Sequence, residues 1–504
     1  MSQILSYILS KSPWLNRFKE KLAESPIAYR LARGAFWSLI GGVGSRALTL
    51  VSSIVVARLL GKEGYGEVGM VQSTIGLFGV FAGFGLGSTA TKYIAEFRIK
   101  DPEKAGRILN LTLVISLVSA GIMAIVCLAM APWLAERTLN RSDLASVLAA
   151  GSLLLFISTL GGVQSAALSG FESFRAIARI TIWQGAAAPL VAIPCVWFYG
   201  VQGAVASFTI NAALGLILCT IALKSECKNF RIPQKFDRSF LSERLTLWKF
   251  ALPSMFCALM VVPTAWITNA ILVNQHGGYG ELGLFNAANQ WRMLIIFLPG
   301  LLTSAMLPVL SETHGREDKS DFIRTVTLNL KVTWVIALPL TVFAVTLNKP
   351  LAMLFGKQFL SADKMISYLM IACFLSIVNG AVGSALVGSG RMWTGTIMNL
   401  GWSVVLIISS ILLIPYIGGL GLAIAYFIAY LFHTLWVMLY VEIKLAPSTM
   451  FGQWKLILFS VIVLVAGIQL GSIETNQYLF QILLILISTL PFIQMLRVSV
   501  FQRA

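Results

Sequence analysis

Seven residues of this chain are written twice. Gly64-Tyr65-Gly66-Glu67-Val68-Gly69-Met70 returns, barely altered, as Gly278-Tyr279-Gly280-Glu281-Leu282-Gly283-Leu284. Each copy links one long apolar span to the next, so the chain is expected to be a duplicated bundle of membrane helices. Two like halves facing one another across a cleft suit movement through a bilayer, because one half can rock against the other around a central site. The repeat extends further. Ala167-Leu168-Ser169-Gly170 matches Ala385-Leu386-Val387-Gly388, and Gly200 and Gly203 match Gly418 and Gly421. The heptapeptides are 214 residues apart and the later matches 218, so a short insertion separates them.

Composition agrees. Hydrophobic residues make up 57% of the 504 and charged residues 12%, with a mean hydropathy of +0.82. A soluble protein could not bury that much apolar surface, so the solvent is lipid. The fold class is therefore an all-α polytopic membrane protein. We read about fourteen spans, near 34–60, 66–91, 108–131, 144–168, 178–199, 203–223, 248–273, 284–308, 330–354, 364–388, 393–415, 420–441, 456–472 and 477–496. Alternating strand patterns are missing from the sequence, which excludes a β-barrel. Residues 34–223 and 248–441 form two pseudo-symmetric six-helix lobes in parallel orientation. The charged stretch 224–247 links them, and 442–504 appends two helices and a tail.

Lys and Arg orient the bundle. With the N-terminus inside, 29 of the 38 basic residues fall in cytoplasmic segments and 7 outside. Both termini are then cytoplasmic. The net charge of +17 reflects this topology and anionic headgroups, with no nucleic-acid partner required. Residues 1–33 are basic and carry no cleavable signal pattern. Ile4, Leu5, Ile8 and Leu9 are spaced for an interfacial helix, though Pro13 and Pro26 equally suit a frayed tail. The six cysteines are scattered, without metal-ligand or redox spacing, and read as packing residues. Glycines such as Gly41, Gly42 and Gly44 serve close helix packing or hinging.

Two charges lie inside spans, Arg46 in the first and Arg292 in the eighth. A guanidinium there costs about 2.5–3.5 kcal/mol on insertion scales, so it should face protein, water or a ligand. Ser38, Gly42, Ser45, Thr49 and Ser53 share the face of Arg46 and suit a hydrated cavity, although an internal hydrogen-bond network is the alternative. Arg292 follows Asn286, Asn289 and Gln290, with Asn269 and Asn274 ending the previous span. It could line the cavity or snorkel to the interface, and the amides could simply bridge helices. No Asp or Glu occupies the middle of a span. Fixed cations without deep carboxylates select an anion, and arginine's planar fork suits phosphate or carboxylate. There is no phosphate-binding Gly-rich loop, metal cluster or nucleophile constellation, so neither covalent chemistry nor a cofactor is expected.

The stretch Leu59-Leu60-Gly61-Lys62-Glu63-Gly64-Tyr65-Gly66, then Gly83-Phe84-Gly85-Leu86-Gly87 and Lys92-Tyr93-Ile94-Ala95-Glu96-Phe97-Arg98, resembles the polysaccharide transporters of the multidrug/oligosaccharidyl-lipid/polysaccharide superfamily, which include the O-antigen flippases called Wzx. Leu168-Ser169-Gly170-Phe171-Glu172-Ser173-Phe174-Arg175 is similar to that family's loop after span four. The resemblance implies a V-shaped bundle working by alternating access in a bacterial cytoplasmic membrane. Its implied cargo is an oligosaccharide on undecaprenyl pyrophosphate, with membrane lipids and polysaccharide polymerase machinery as further partners. The related lipid II flippases use arginines in the first and eighth helices, where Arg46 and Arg292 lie. Their second-helix arginine has no match here, which counts against a peptidoglycan precursor. On this reading Arg46 and Arg292 meet the pyrophosphate, Asn269, Asn289 and Gln290 meet glycan hydroxyls, and Gly64, Gly66, Gly278 and Gly280 belong to an outer gate. A cation-coupled multidrug exporter of the same fold is the competing reading. A membrane-embedded enzyme or assembly scaffold for the same carrier is a third, although the three histidines are isolated.

Overall fold

A computed structural model describes residues 26–233, 244–315, 319–472 and 478–501. The first twenty-five residues of the basic N-terminal segment, residues 234–243 of the linker between halves, and the side chains of Ser38 and Cys257 lie outside the described residues.

The helices are α1 (Pro26–Gly83), α2 (Leu86–Phe97), α3 (Pro102–Trp133), α4 (Leu144–Gly170), α5 (Phe174–Asn229), α6 (Arg244–Val273), α7 (Gly278–Ile295), α8 (Phe297–Gly315), α9 (Lys319–Thr346), α10 (Asn348–Met353), α11 (Asp363–Gly388), α12 (Met392–Lys444), α13 (Trp454–Ser472), α14 (Tyr478–Ser488) and α15 (Leu490–Phe501). Among the described residues there is no strand, and nine helical stretches are long and apolar enough to cross a membrane. Their outward surface is apolar: Leu190 is 74% exposed, Trp197 70% and Tyr416 86%, which fits lipid and not water.

Three long helices break at one point each. Gly61 interrupts α1 (φ 69°, ψ −178°), Gly200 interrupts α5 (φ 54°, ψ −130°) and Gly418 interrupts α12 (φ 54°, ψ −134°). Positive φ with such ψ is essentially confined to glycine. The matched pair Gly200 and Gly418 therefore adopts one shape, and the duplication seen in sequence is also a duplication of backbone. Three residues on, Gly203 and Gly421 let the returning segment lie against Cys195 and Leu413, where a Cβ would strike backbone. Alanine at Gly418 should cost about 1–3 kcal/mol for the strained backbone. It also brings a Cβ to 3.1 Å from Glu281 Oε2. Thermal unfolding of the detergent-solubilised protein checks this: Gly200→Ala, with nothing near its Cβ, should show the smaller drop.

Within the first half α5 packs on α1 and α4, and α3 on α4; within the second, α11 packs on α9 and α12, and α12 on α6. The halves meet through α1, which lies along α6 and α7. One continuous apolar core runs through both. In lipid this packing, more than apolar burial, holds helices together. The appended helices α13 and α14 rest on α9. Trp334 donates to Ser460 Oγ at 2.8 Å, and Gly471 fits where a Cβ would meet the Val345 carbonyl at 2.7 Å.

Candidate functional site

The two copies of the heptapeptide meet at one end of the seam between halves. Gly66 lies so close to the Tyr279 carbonyl, and Gly283 to the Lys62 carbonyl, that neither has room for a Cβ. Asn286 is seated over Gly69 in the same way. Each copy also sends its tyrosine into the opposite half. Tyr65 packs 6.3 Å from the Phe355 ring and 6.0 Å from Phe359, and its hydroxyl bonds Ser53 at 2.5 Å and accepts from Gln290 at 3.3 Å. Tyr279 donates to the Leu139 carbonyl at 2.9 Å, with the Arg141 guanidinium 5.2 Å from its ring centre.

Around this clasp other bonds cross the seam. Asn140 Nδ2 donates to Asn274 Oδ1 at 2.7 Å, Asn274 Nδ2 to the Thr138 carbonyl at 2.8 Å, and Arg58 Nε to the Leu354 carbonyl at 2.9 Å. Arg141 pairs with Glu67 and with Asp143, whose exposed carboxyl it holds below the usual carboxylate range. Glu281 accepts from the Gly419 amide at 3.0 Å, which ties the second heptapeptide to the turn of α12. Asn140→Cys/Asn274→Cys should be bridged by a short reducible bifunctional thiol cross-linker that locks the clasp. Translocation in reconstituted vesicles should stop on cross-linking and return with reductant.

The arginines lie on the order of 20 Å from the clasp, from a rise of 1.5 Å per residue. Arg46 reaches across the seam. Its Nη1 donates to the Met293 carbonyl at 3.1 Å, and its guanidinium stands 4.5 Å from the centre of the Phe297 ring. Gly42, one turn away, leaves room for that ring. Arg292 is adjacent in sequence to the residue Arg46 touches but turns into the second half. Its Nε donates to Asn289 Oδ1 at 2.6 Å, and the hydroxyls of Tyr430 and Tyr426 stand beside it. Trp402 completes that aromatic group, 5.3 Å from Tyr430 and 6.3 Å from Tyr426. Among the described residues no carboxylate pairs with either arginine.

The other expected site residues divide. Asn269 donates to Ser73 at 3.2 Å and Gln290 to Tyr65, so both bridge halves in this arrangement; Asn289 holds Arg292. Of the four glycines, Gly66 makes the close cross-seam approach. Gly64 packs on Leu60, Gly278 on the Leu272 carbonyl of its own turn, and Gly280 on the Lys62 methylenes at 3.3 Å. The small-residue stripe around Arg46 does not face a single cavity. Ser45 packs on Gly185, Thr49 bonds its own helix, and buried Ser53 bonds Tyr65. The reason is geometric: a stripe about 100° wide on a central helix touches two neighbours at once. Sequence reading missed the tyrosines, though they sit inside the repeat, and missed the aromatic group around Arg292. It also missed Arg98, buried at 5% exposure, which donates to the Gly170 carbonyl at 2.6 Å and pairs with Glu172. Two of the motifs that carry the resemblance are thus one structural tie. Among the described residues no group of His, Cys, Asp or Glu could hold a metal ion.

A duplicated helical membrane bundle, clasped at one end and carrying two uncompensated arginines at its seam, has the architecture of a multi-span transporter. Its fold matches that of the lipid II flippase MurJ in an inward closed conformation, with a TM-score of 0.70 over 92% of this chain and 99% of that one at 17% identity. The chain belongs to the polysaccharide biosynthesis protein family, whose model matches residues 31–314. The EPS I polysaccharide export inner membrane protein EpsE of Ralstonia nicotianae is 25% identical over 432 residues, covering 82% of this chain and 96% of that protein. The lipid III flippase of Escherichia coli is 22% identical over 410 residues, covering 80% and 95%.

Proposed function

We propose that this protein is a flippase that carries a polyprenyl-pyrophosphate-linked oligosaccharide, a repeat unit of O-antigen, capsule or exopolysaccharide, across the cytoplasmic membrane by alternating access. The observation that carries the reading is the placement of Arg46 and Arg292 at one depth of the seam, with no carboxylate to neutralise them among the described residues. The pyrophosphate is the part of such a cargo that hydrocarbon excludes, and a guanidinium fork can accept it with two parallel bonds. Family membership and the relatives' names support the substrate class. A cationic drug would want the opposite sign at this depth, which counts against the multidrug exporter.

In this reading there are fourteen spans, with α1, α5 and α12 each contributing two, one on either side of the glycine break. Both termini are cytoplasmic, and the clasp is the outer gate, closed here. Arg46 takes the pyrophosphate first, because its present partners are a helix carbonyl and a ring face. Those are weaker than a phosphate and easily left. Asn269, Asn289 and Gln290 are released to glycan hydroxyls as the seam parts. The prenyl tail stays at the lipid boundary of the second half, where an apolar groove of about 490 Å³ runs between α9, α11, α12 and α13, lined by residues such as Trp334, Phe374, Phe427 and Leu464. Reconstituted vesicles test the scheme: protected lipid-linked oligosaccharide should become accessible from the far side with the protein and not without it. Equal movement without protein, or movement of unphosphorylated carrier as fast as the pyrophosphate, would sink it.

A further inference from the structure

Between α8, α11 and α12 lies a cavity of about 390 Å³, separate from the arginines, lined by Thr303, Asn379, Gly383, Thr396, Asn399 and His433 among others. Inside it the Nδ2 of Asn379 stands 2.9 Å from the Nδ1 of His433. Both residues are buried, at 9% and 6% exposure. An amide nitrogen only donates, so Nδ1 is the acceptor and the imidazole is neutral with its proton on Nε2. The other end of the amide, Asn379 Oδ1, is buried with no partner. That is a costly arrangement unless another state uses the atom.

The duplication shows that this pair belongs to the second half alone. Ala167–Gly170 and Gly200–Gly203 keep a constant offset of 218 to the second half, with matching backbone at Gly200 and Gly418. At that offset Asn379 corresponds to Gly161 and His433 to Gly215. The first half has the corresponding cavity, about 240 Å³ and lined by Gly161, Ser165, Thr181, Gln184 and Gly215. There the Gln184 amide lies directly over Gly215. One half thus has a neutral pocket built on two glycines, and the other has an ionisable histidine with an amide partner in the same two positions.

We propose that His433 and Asn379 form a proton-binding site whose occupancy sets the balance between the clasped arrangement and one in which the clasp has parted; this rests on the transporter reading above. A proton adds to the Nδ1 lone pair, and the Asn379 amide turns so that its orphaned Oδ1 accepts the new N–H. Among the described residues no carboxylate pairs with His433. On α7, Arg292 is engaged with Tyr430 and Asn289, and α11 offers Cys373, which donates to the Arg292 carbonyl. On α12, Tyr426 and Tyr430 face Arg292, Tyr440 accepts from Arg391, and Glu442 accepts from the Ser448 and Met450 amides. The described side chains of α6 include no ionisable group, and Glu312 and His314 lie at the far end of α8. A charged imidazole is therefore expensive in the clasped form, where His433 is 6% exposed, and favours an arrangement that brings the ring to water. The proton is thus a second ligand that the transport cycle can exploit.

Hydrogen exchange of the full chain in nanodiscs, without cargo, tests this. After correction for intrinsic exchange, amides of the second heptapeptide should exchange about tenfold faster at pH 5 than at pH 7.5, because one unit of difference between the two arrangements is a factor of ten. His433→Gln keeps a hydrogen bond to Asn379 without a titrating group, and Asn379→Gly/His433→Gly recreates the first half's pattern. Both should lose the pH response. Two results overturn the site: no response in the parent chain, or an equal response in His433→Gln, which would assign it to Glu67, Glu281 or His276 at the clasp. Replacing potassium by sodium at fixed pH gives the remaining arm. An effect of sodium with none of pH would mean a metal-cation site and also overturn the proposal. Because no cargo is used, failure here leaves the flippase reading untouched, and failure of the Arg46 experiment below leaves this one standing.

Discussion

An Arg46→Ala chain is expected to reach the membrane at close to the normal level and to leave the cell without surface glycan. The folding side of this expectation follows from what Arg46 touches. Its bond goes to the Met293 carbonyl, within helix α7, and its other contact is the Phe297 ring. Losing either removes a weak tie and orphans no buried charge, because no carboxylate faces the guanidinium among the described residues. Taking an arginine out of the middle of a span makes insertion easier, not harder. The functional side follows from charge: without Arg46 only Arg292 can neutralise a pyrophosphate at this depth, and Arg292 is held by Asn289 and Tyr430. Arg46→Lys should retain part of the activity, since the charge survives and the fork does not. Staining of surface glycan beside a membrane immunoblot reads both quantities. Full glycan in the alanine variant removes Arg46 from the mechanism.

Gly283→Ala is expected to cut transport at least tenfold with little loss of protein. The added Cβ would sit on the Lys62 carbonyl and 3.2 Å from the Gly66 amide nitrogen, both backbone atoms that have no rotamer to escape into. The halves must then stand further apart at the clasp, and every bond across it stretches. Gly280→Ala is the control. Its Cβ would meet only the Lys62 methylenes, nearest at 3.3 Å, and a lysine stem can move aside. Translocation rates of the two variants in the same vesicles separate a requirement for backbone contact from a general intolerance of bulk. Equal rates would mean that the close approach at Gly283 is dispensable.

The fold was largely legible because lipid leaves so few options. Long apolar runs must be helices, and a repeated Gly-Tyr-Gly stretch, helical in both copies and just past a glycine break, must mark corresponding corners. The helix breaks at Gly200 and Gly418 were legible for the same reason, since each sits between two spans. The site was legible only in part. Arg46 and Arg292 announce themselves by cost, but nothing in spacing says that one crosses the seam and the other turns into an aromatic group. Tyr430, Tyr426 and Trp402 are far from Arg292 in sequence and ordinary in a membrane helix. Asn269 and Gln290 read either as groups for glycan hydroxyls or as bridges between helices, and both bond across the seam, because a clasped bundle has to satisfy its own donors. Gly283 was hidden inside the repeat: the two copies look alike in sequence, and only their mutual packing shows which glycines press on backbone.

The reciprocal seating of Tyr65 and Tyr279 has a consequence for tightness. Each half holds the other's ring, so withdrawing one tyrosine drags on the corner that seats its twin. A half-undone door would forfeit most of both attachments while gaining little freedom, and is the least populated position along the way. In the proposed scheme opening is then all-or-none, and a membrane that stores its energy as an ion gradient is not expected to leak through this protein between one passenger and the next.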